Sequence, residues 1–165
     1  MTPFMGAIIM HKKIVGLCLG ALLAATALSP ASAQDRLSTR DEAVSFVRKA
    51  AAYLRQQGRE QALRDFNNPK GPFVERELYI VVLDLGGTLL ADGSNPRLVN
   101  KSLIDLRDVN GKYFVREELK MARDTGKGWV DFQWLNPVSK TMEARSSYFE
   151  RVDDYIVLTG VYQQR

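Results

Sequence analysis

The spacing of apolar and polar residues divides much of the chain into one long amphipathic helix, shorter helical segments and several strands separated by turn residues. Thr39-Arg40-Asp41-Glu42 has the order of a capping box, in which the Thr39 side chain accepts from the backbone of Glu42 and the Glu42 carboxylate reaches back to Thr39. Beyond it Val44, Val47, Ala51 and Leu54 recur at helical spacing, Phe46, Ala50 and Tyr53 widen the apolar face, and Gly58 suits the stop. A shorter helical segment over residues 60–66 ends at Asn67-Asn68-Pro69, followed by a Gly71-Pro72 loop.

Residues 78–84, Leu-Tyr-Ile-Val-Val-Leu-Asp, are apolar on both faces and rich in strand formers, which predicts a central strand. Asp84-Leu85-Gly86-Gly87 supplies turn chemistry, and residues 88–91 return as the hairpin partner. Residues 92–112 form a long connection with Gly93, Asn95-Pro96 and Asn110-Gly111; such loops are often binding elements. Val115, Leu119 and Ala122 mark a further helix that ends at Gly126, and strands are predicted over residues 128–135, 142–152 and 155–162. Asn136-Pro137 and Asp153-Asp154 sit at the turns between them. Short turns between consecutive strands imply an α+β fold: a central antiparallel sheet of about five strands, a long N-terminal helix and a crossover helix.

The N-terminal segment changes what chemistry is available. Met10-His11-Lys12-Lys13, an apolar run over residues 14–28 and Ser29-Pro30-Ala31-Ser32-Ala33 follow the positive, apolar and small-residue order of a secretory signal peptide. The expectation is a leader over residues 1–33, cleaved near Ala33, and one domain over residues 34–165, periplasmic or secreted. The alternative is a retained anchor, although Gly16, Gly20 and Thr26 interrupt the run and it falls short of the roughly 20 residues that span a bilayer. A lipid attached at Cys18 is disfavoured by Leu17, which stands where a small residue is expected.

The single His and the single Cys, His11 and Cys18, leave with the leader. The remaining domain then has no disulfide, no thiol nucleophile, no His base and no His or Cys metal ligand. Of 23 basic residues Lys12 and Lys13 leave too, so 21 face 19 acids and the net charge falls from +4 to +2. Lys and Arg are scattered among acids, which argues against a nucleic-acid footprint.

Three clusters present themselves as sites. Asp108-Val109-Asn110-Gly111 with Glu117 matches a calcium loop at its third, fifth, sixth and twelfth positions, but the first falls on Leu106, which has no side-chain oxygen, so a loop turn is the better reading. Glu150, Asp153 and Asp154 flank a hairpin turn beside Arg151 and are read as solvated rather than as an acid/base set. Ser146 and Ser147 have no base in a recognisable motif, so no catalytic residue is assigned.

A further cluster carries more. Phe132 and Trp134 share one strand face, whereas Trp129 points the other way. Arg145 and Tyr148 lie on the next strand, and a guanidinium, a phenol and an indole beside apolar surface would suit a small carboxylate. Strict alternation puts residues 145 and 148 on opposite faces, so their convergence requires a bulge or an edge twist. Packing of all three aromatics in the core is the alternative.

Taken in order, Phe66-Asn67-Asn68-Pro69, residues 78–84, residues 95–103, residues 129–137, Ser147-Tyr148 and Gly160-Val161-Tyr162 resemble the single Cache domain family, type 2-like, PAS-like extracellular modules of bacterial chemoreceptors and sensor kinases. The resemblance implies a long N-terminal helix, a central antiparallel sheet and a pocket for a small molecule, in this type often a short organic acid. The family's basic residue before the Ser-Tyr pair falls on Arg145, its aromatic-x-Trp pattern on Phe132 and Trp134, and its Tyr on Tyr148. With Tyr79 these make the expected ligand-binding set. Asn100 stands where family sequences often have Gly.

The chain stops at Arg165 without a second membrane segment or a kinase, cyclase or methyl-accepting region, so relay across a membrane is expected to need a partner. The expected function is therefore a periplasmic module that binds or senses a small anionic metabolite and is not an enzyme. No cofactor or metal is expected. Expected partners are that metabolite, a membrane receptor or kinase, and a second copy joined through the N-terminal helix; nucleic acid is not expected. A structural or interaction module with a vestigial pocket is the alternative.

Overall fold

The computed structural model describes residues 37–136 and 139–163. The leader, with His11 and Cys18, lies outside the described residues, as does Pro137 of the strand turn.

Helix α1, Arg40–Gln57, begins at the capping box: the Glu42 amide donates to Thr39 Oγ1 at 3.2 Å and the Thr39 amide to Glu42 Oε2 at 2.7 Å. Gly58, at φ 78°, stops it, and its amide closes on the Leu54 carbonyl before α2, Arg59–Phe66, sets off. Asn67 ends α2 and fixes its position. Its amide nitrogen donates to the carbonyls of Leu63 and Leu90, and its side-chain oxygen accepts from the Asp92 amide.

A small hairpin, β1 (Val74–Glu75) and β2 (Leu78–Tyr79), precedes the main sheet of β3 (Val81–Asp84), β4 (Leu89–Asp92), β5 (Lys127–Leu135), β6 (Met142–Val152) and β7 (Tyr155–Tyr162). The spatial order is β4-β3-β7-β6-β5, antiparallel throughout. The third helix, α3, is Phe114–Asp124. The α+β reading therefore holds in element type and order.

Two details differ from the sequence reading. The strand expected over residues 78–84 is divided at Ile80, whose amide bonds to the Phe73 carbonyl and whose carbonyl accepts from Gly93, so the segment changes partners midway. The returning strand runs over Leu89–Asp92, one residue later than expected, while Thr88 bridges Ser102, and its register against β3 is irregular between Val82 and Leu83.

The sheet is buried on both faces. On one, Val82, Tyr148, Val152, Val157 and Val161 pack with Phe46, Val47 and Leu54 of α1 and with Phe66 and Phe73. Phe66 and Phe73 meet edge to face at 4.6 Å between ring centroids. Each such buried ring or branched aliphatic contributes about 1.5–3 kcal/mol by leaving water. On the other face, Leu83, Val130, Phe149, Ile156 and Leu158 lie under Phe114, Val115, Leu119 and Ala122 of α3.

The long connection between β4 and α3 also covers this second face. It runs through a 3-10 turn, Pro96–Leu98, and is sewn to β4 by the Leu89 amide on the Lys101 carbonyl and the Asn100 amide on the Leu89 carbonyl. Asn100 adopts φ 68°, the left-handed conformation for which glycine is the usual residue and which Asn tolerates best among the others.

Candidate ligand-binding cavity

Beneath α3 and the long connection the second face is not filled. Side chains from every strand of the main sheet, from α3 and from the connection enclose a cavity of about 230 Å³. Its walls are mainly hydrocarbon: Val81, Leu83, Leu158, Leu98, Leu103 and Leu106, closed at one side by aromatics. Phe132 of β5 stacks on Phe114 of α3 at 4.1 Å with the rings 6° from parallel, and Trp134 meets Phe114 edge to face at 5.5 Å.

Arg145 lies within this apolar enclosure with only 5% of its surface exposed. Its Nη1 donates to Tyr79 Oη at 2.8 Å and to Tyr162 Oη at 3.3 Å, and Tyr162 in turn donates to the Leu135 carbonyl at 2.9 Å. Both rings sit beside the guanidinium, their centroids 5.1 and 5.0 Å from its carbon. Space for the side chain comes from β7: a Cβ at Gly160 would stand 2.2 Å from Arg145 Nε. That nitrogen is buried with no hydrogen-bond partner among the described residues.

No carboxylate among the described residues forms an ion pair with Arg145. Glu143, on the same face of β6, is engaged by Asn136, Ser139 and Thr141. A guanidinium does not deprotonate in proteins, and a buried cation without an ion partner is costly.

Two acidic groups also reach the cavity. Glu118 of α3 is 2% exposed, and its Oε1 accepts from the hydroxyl of Ser147 on β6. Burial raises its proton affinity, opposed by the Ser147 hydrogen bond and the Arg145 charge, and the group titrates at about 7. Asp92, at the end of β4, is held by the Ser94 amide, the Ser94 hydroxyl and the Asn95 amide, all on Oδ1.

Four of the five expected residues, Trp134, Arg145, Phe132 and Tyr79, come together here. The convergence of Tyr148 with them does not occur. Strand β6 pairs with both neighbours in unbroken register, without the bulge that convergence requires, so Tyr148 stands on the α1 face. There it packs on Trp129, and its hydroxyl donates to Glu150 at 2.7 Å. Burial and that carboxylate push the phenol up to about 12. Trp129 points away from the cavity, as alternation requires, and carries the Arg40 guanidinium 3.9 Å over its ring.

Glu118, Ser147, Asp92 and Tyr162 were not singled out in the sequence as ligand-contacting residues. Glu118 had a signal: it is an acid within the apolar stripe set by Val115, Leu119 and Ala122. Tyr162 is opposite Arg145 across the β6–β7 ladder, a register that strand limits alone do not fix.

The other candidates take structural positions. Asp108 accepts from the amides of Asn110 and Lys112 on Oδ1 and from Gln133 on Oδ2, and these backbone bonds, Gln133 foremost, hold its carboxyl below the usual range. It fastens the loop to β5. Asp153 and Asp154 are exposed at the β6–β7 turn. No group of three His, Cys, Asp or Glu among the described residues is placed to hold a metal.

A five-stranded antiparallel sheet, a long helix on one face and a small, mainly apolar cavity on the other define an α+β module of the PAS-like sensory class. The chain belongs to the single Cache domain family: the family described as Single Cache domain 2 matches residues 29–164. It is similar to the methyl-accepting chemotaxis protein McpP of Pseudomonas putida, 29% identical over 86 residues that make up 51% of this chain but 16% of that protein.

Among solved structures, a methyl-accepting chemotaxis protein from Vibrio parahaemolyticus superposes with a TM-score of 0.63 at 21% identity, covering 74% of this chain and 86% of that one. A Cache chemosensory domain solved to explain carboxylic acid recognition also gives 0.63, at 20% identity, over 75% of this chain and 92% of its own. The periplasmic sensor domain of a chemotaxis protein gives 0.58 at 24% identity, over 75% and 90%. At such identities these structures share the fold.

Proposed function

We propose that this protein is an extracytoplasmic sensing module that captures a short monocarboxylate in the cavity around Arg145 and presents its occupancy to a membrane receptor or kinase. The observation that carries this reading is the buried Arg145 guanidinium, which has two tyrosine hydroxyls, an unpartnered Nε and no ion-pair partner among the described residues, at one end of an apolar enclosure. A carboxylate there would gain charge-assisted hydrogen bonds in a low-dielectric setting, while its alkyl part displaces water from Leu98, Leu103, Phe132 and Trp134. The cavity lies below the roughly 300–1,000 Å³ of sites for drug-sized molecules, which favours a ligand of few heavy atoms.

The carboxylic acid recognition described for the similar Cache domain, and the chemoreceptor context of the similar Pseudomonas protein, support the same reading. Export after cleavage near Ala33 agrees with the leader pattern. The open space beneath Trp134 favours a binding role over a purely structural one.

A thermal-shift series with acetate, propionate, butyrate, amino acids and neutral amides tests the proposal. A ligand of the native state raises the melting temperature by mass action. A concentration-dependent rise for short carboxylates, absent for the matching amides, is the expected result. No rise for any carboxylate, or an equal rise for the amides, refutes it.

A further inference from the structure

Resting on that reading of the cavity, we infer that Glu118 is a specificity-determining residue: it restricts the site to ligands with one negative charge and takes up a proton as the ligand binds.

The geometry brings acid and cation to one wall. Ser147, the hydrogen-bond donor to Glu118, is two residues beyond Arg145 on the same face of β6, about 7 Å along the strand. Both Arg145 and Glu118 line the cavity, and Arg145 is the one basic side chain that does so among the described residues. Its positive charge favours the ionised form of Glu118, against burial.

An arriving carboxylate removes that support. It compensates the guanidinium and places an anion in the same water-poor space, so both effects make Glu118 hold its proton more tightly. The other charged and titratable groups around the site do not reverse this. Lys112, on the connection before α3, and Glu117, on the helix, act on Glu118 with opposite signs and pair with each other at 2.9 Å. Asp92 on β4 adds a further carboxylate across the cavity, and Tyr79 of β2 and Tyr162 of β7 present hydroxyls already bonded to Arg145. A second ligand carboxylate has no other cation lining the cavity among the described residues, and it meets Glu118 or Asp92.

Calorimetric titration of the chain, expressed from its full sequence, with propionate in buffers of different ionisation enthalpy reads the coupling. At about pH 8 each propionate bound should take up close to one proton, and the affinity should fall about tenfold for each further pH unit. Succinate should bind far more weakly than propionate. The Glu118→Gln protein should bind propionate without proton uptake and with an affinity that no longer varies over that range. Propionate binding by the unaltered protein without proton uptake, or succinate binding of equal strength, overturns the inference and leaves the carboxylate site standing. Absence of propionate binding at every pH down to about 5, where Glu118 is protonated, removes the carboxylate reading itself.

Discussion

Replacing Glu118 with glutamine should make the ligand-free protein more stable, by an amount that grows as pH rises from about 4.5 to about 7 and then levels off. Glutamine keeps the shape and the oxygen that accepts from Ser147 while removing the buried negative charge. The carboxyl titrates at about 7 in the folded protein against 4.5 when solvated. Between those values the folded state holds a proton that the unfolded chain has lost, so stability falls as pH rises through that window and the loss is complete above it.

At 1.36 kcal/mol for each pH unit, the ionised side chain costs about 3 kcal/mol of folding free energy at high pH. Urea denaturation of both proteins from about pH 4 to pH 9 should show near-equal stabilities at the acid end and a glutamine protein about 3 kcal/mol more stable at the alkaline end. For a domain of this size that difference is roughly 10–15 °C in melting temperature. A difference that does not vary with pH would mean that Glu118 does not titrate in this window, and the electrostatic account of the cavity would fall.

Gly160→Ala places a methyl group 2.2 Å from Arg145 Nε, so the guanidinium must shift off its tyrosines; carboxylate binding measured by calorimetry should drop at least tenfold while far-ultraviolet circular dichroism still reports the fold. Tyr79→Phe removes a hydroxyl that positions Arg145 and should weaken binding about tenfold, whereas Tyr148→Phe, on the opposite face, should leave the affinity unchanged. Thr39→Ala breaks the capping box at the start of α1 and should lower stability by about 1 kcal/mol in urea denaturation without affecting binding.

How much of this was legible in the sequence depended on how local the determining interactions are. The start of α1 is contained within Thr39 and Glu42, and its stop within Gly58, so the helix could be read to its ends. Strands β6 and β7 are long and closely joined, and their alternation already separated Arg145 from Tyr148. The family resemblance had placed both in one ligand set, and the alternation prevailed because no bulge interrupts β6.

The division at Ile80 depends on its amide bonding to the Phe73 carbonyl and its carbonyl accepting from Gly93, partners outside the segment itself, so the segment read as one uninterrupted strand. The cavity was legible in its aromatics and its arginine but not in its second polar pole. Ser147 and Glu118 meet only because α3 lies over β6, and Tyr162 reaches Arg145 only through the β6–β7 register.

The central claim is that Arg145 receives a carboxylate inside the cavity, and a crystal structure of the protein grown with 3-bromopropionate measures it directly. The account predicts carboxylate oxygens about 3 Å from the Arg145 guanidinium and the Tyr79 hydroxyl, with the anomalous signal of bromine among Leu98, Leu103, Phe132 and Trp134. Bromine on the α1 face near Tyr148, or an ordered cavity without ligand at a concentration that saturates binding in solution, would contradict it.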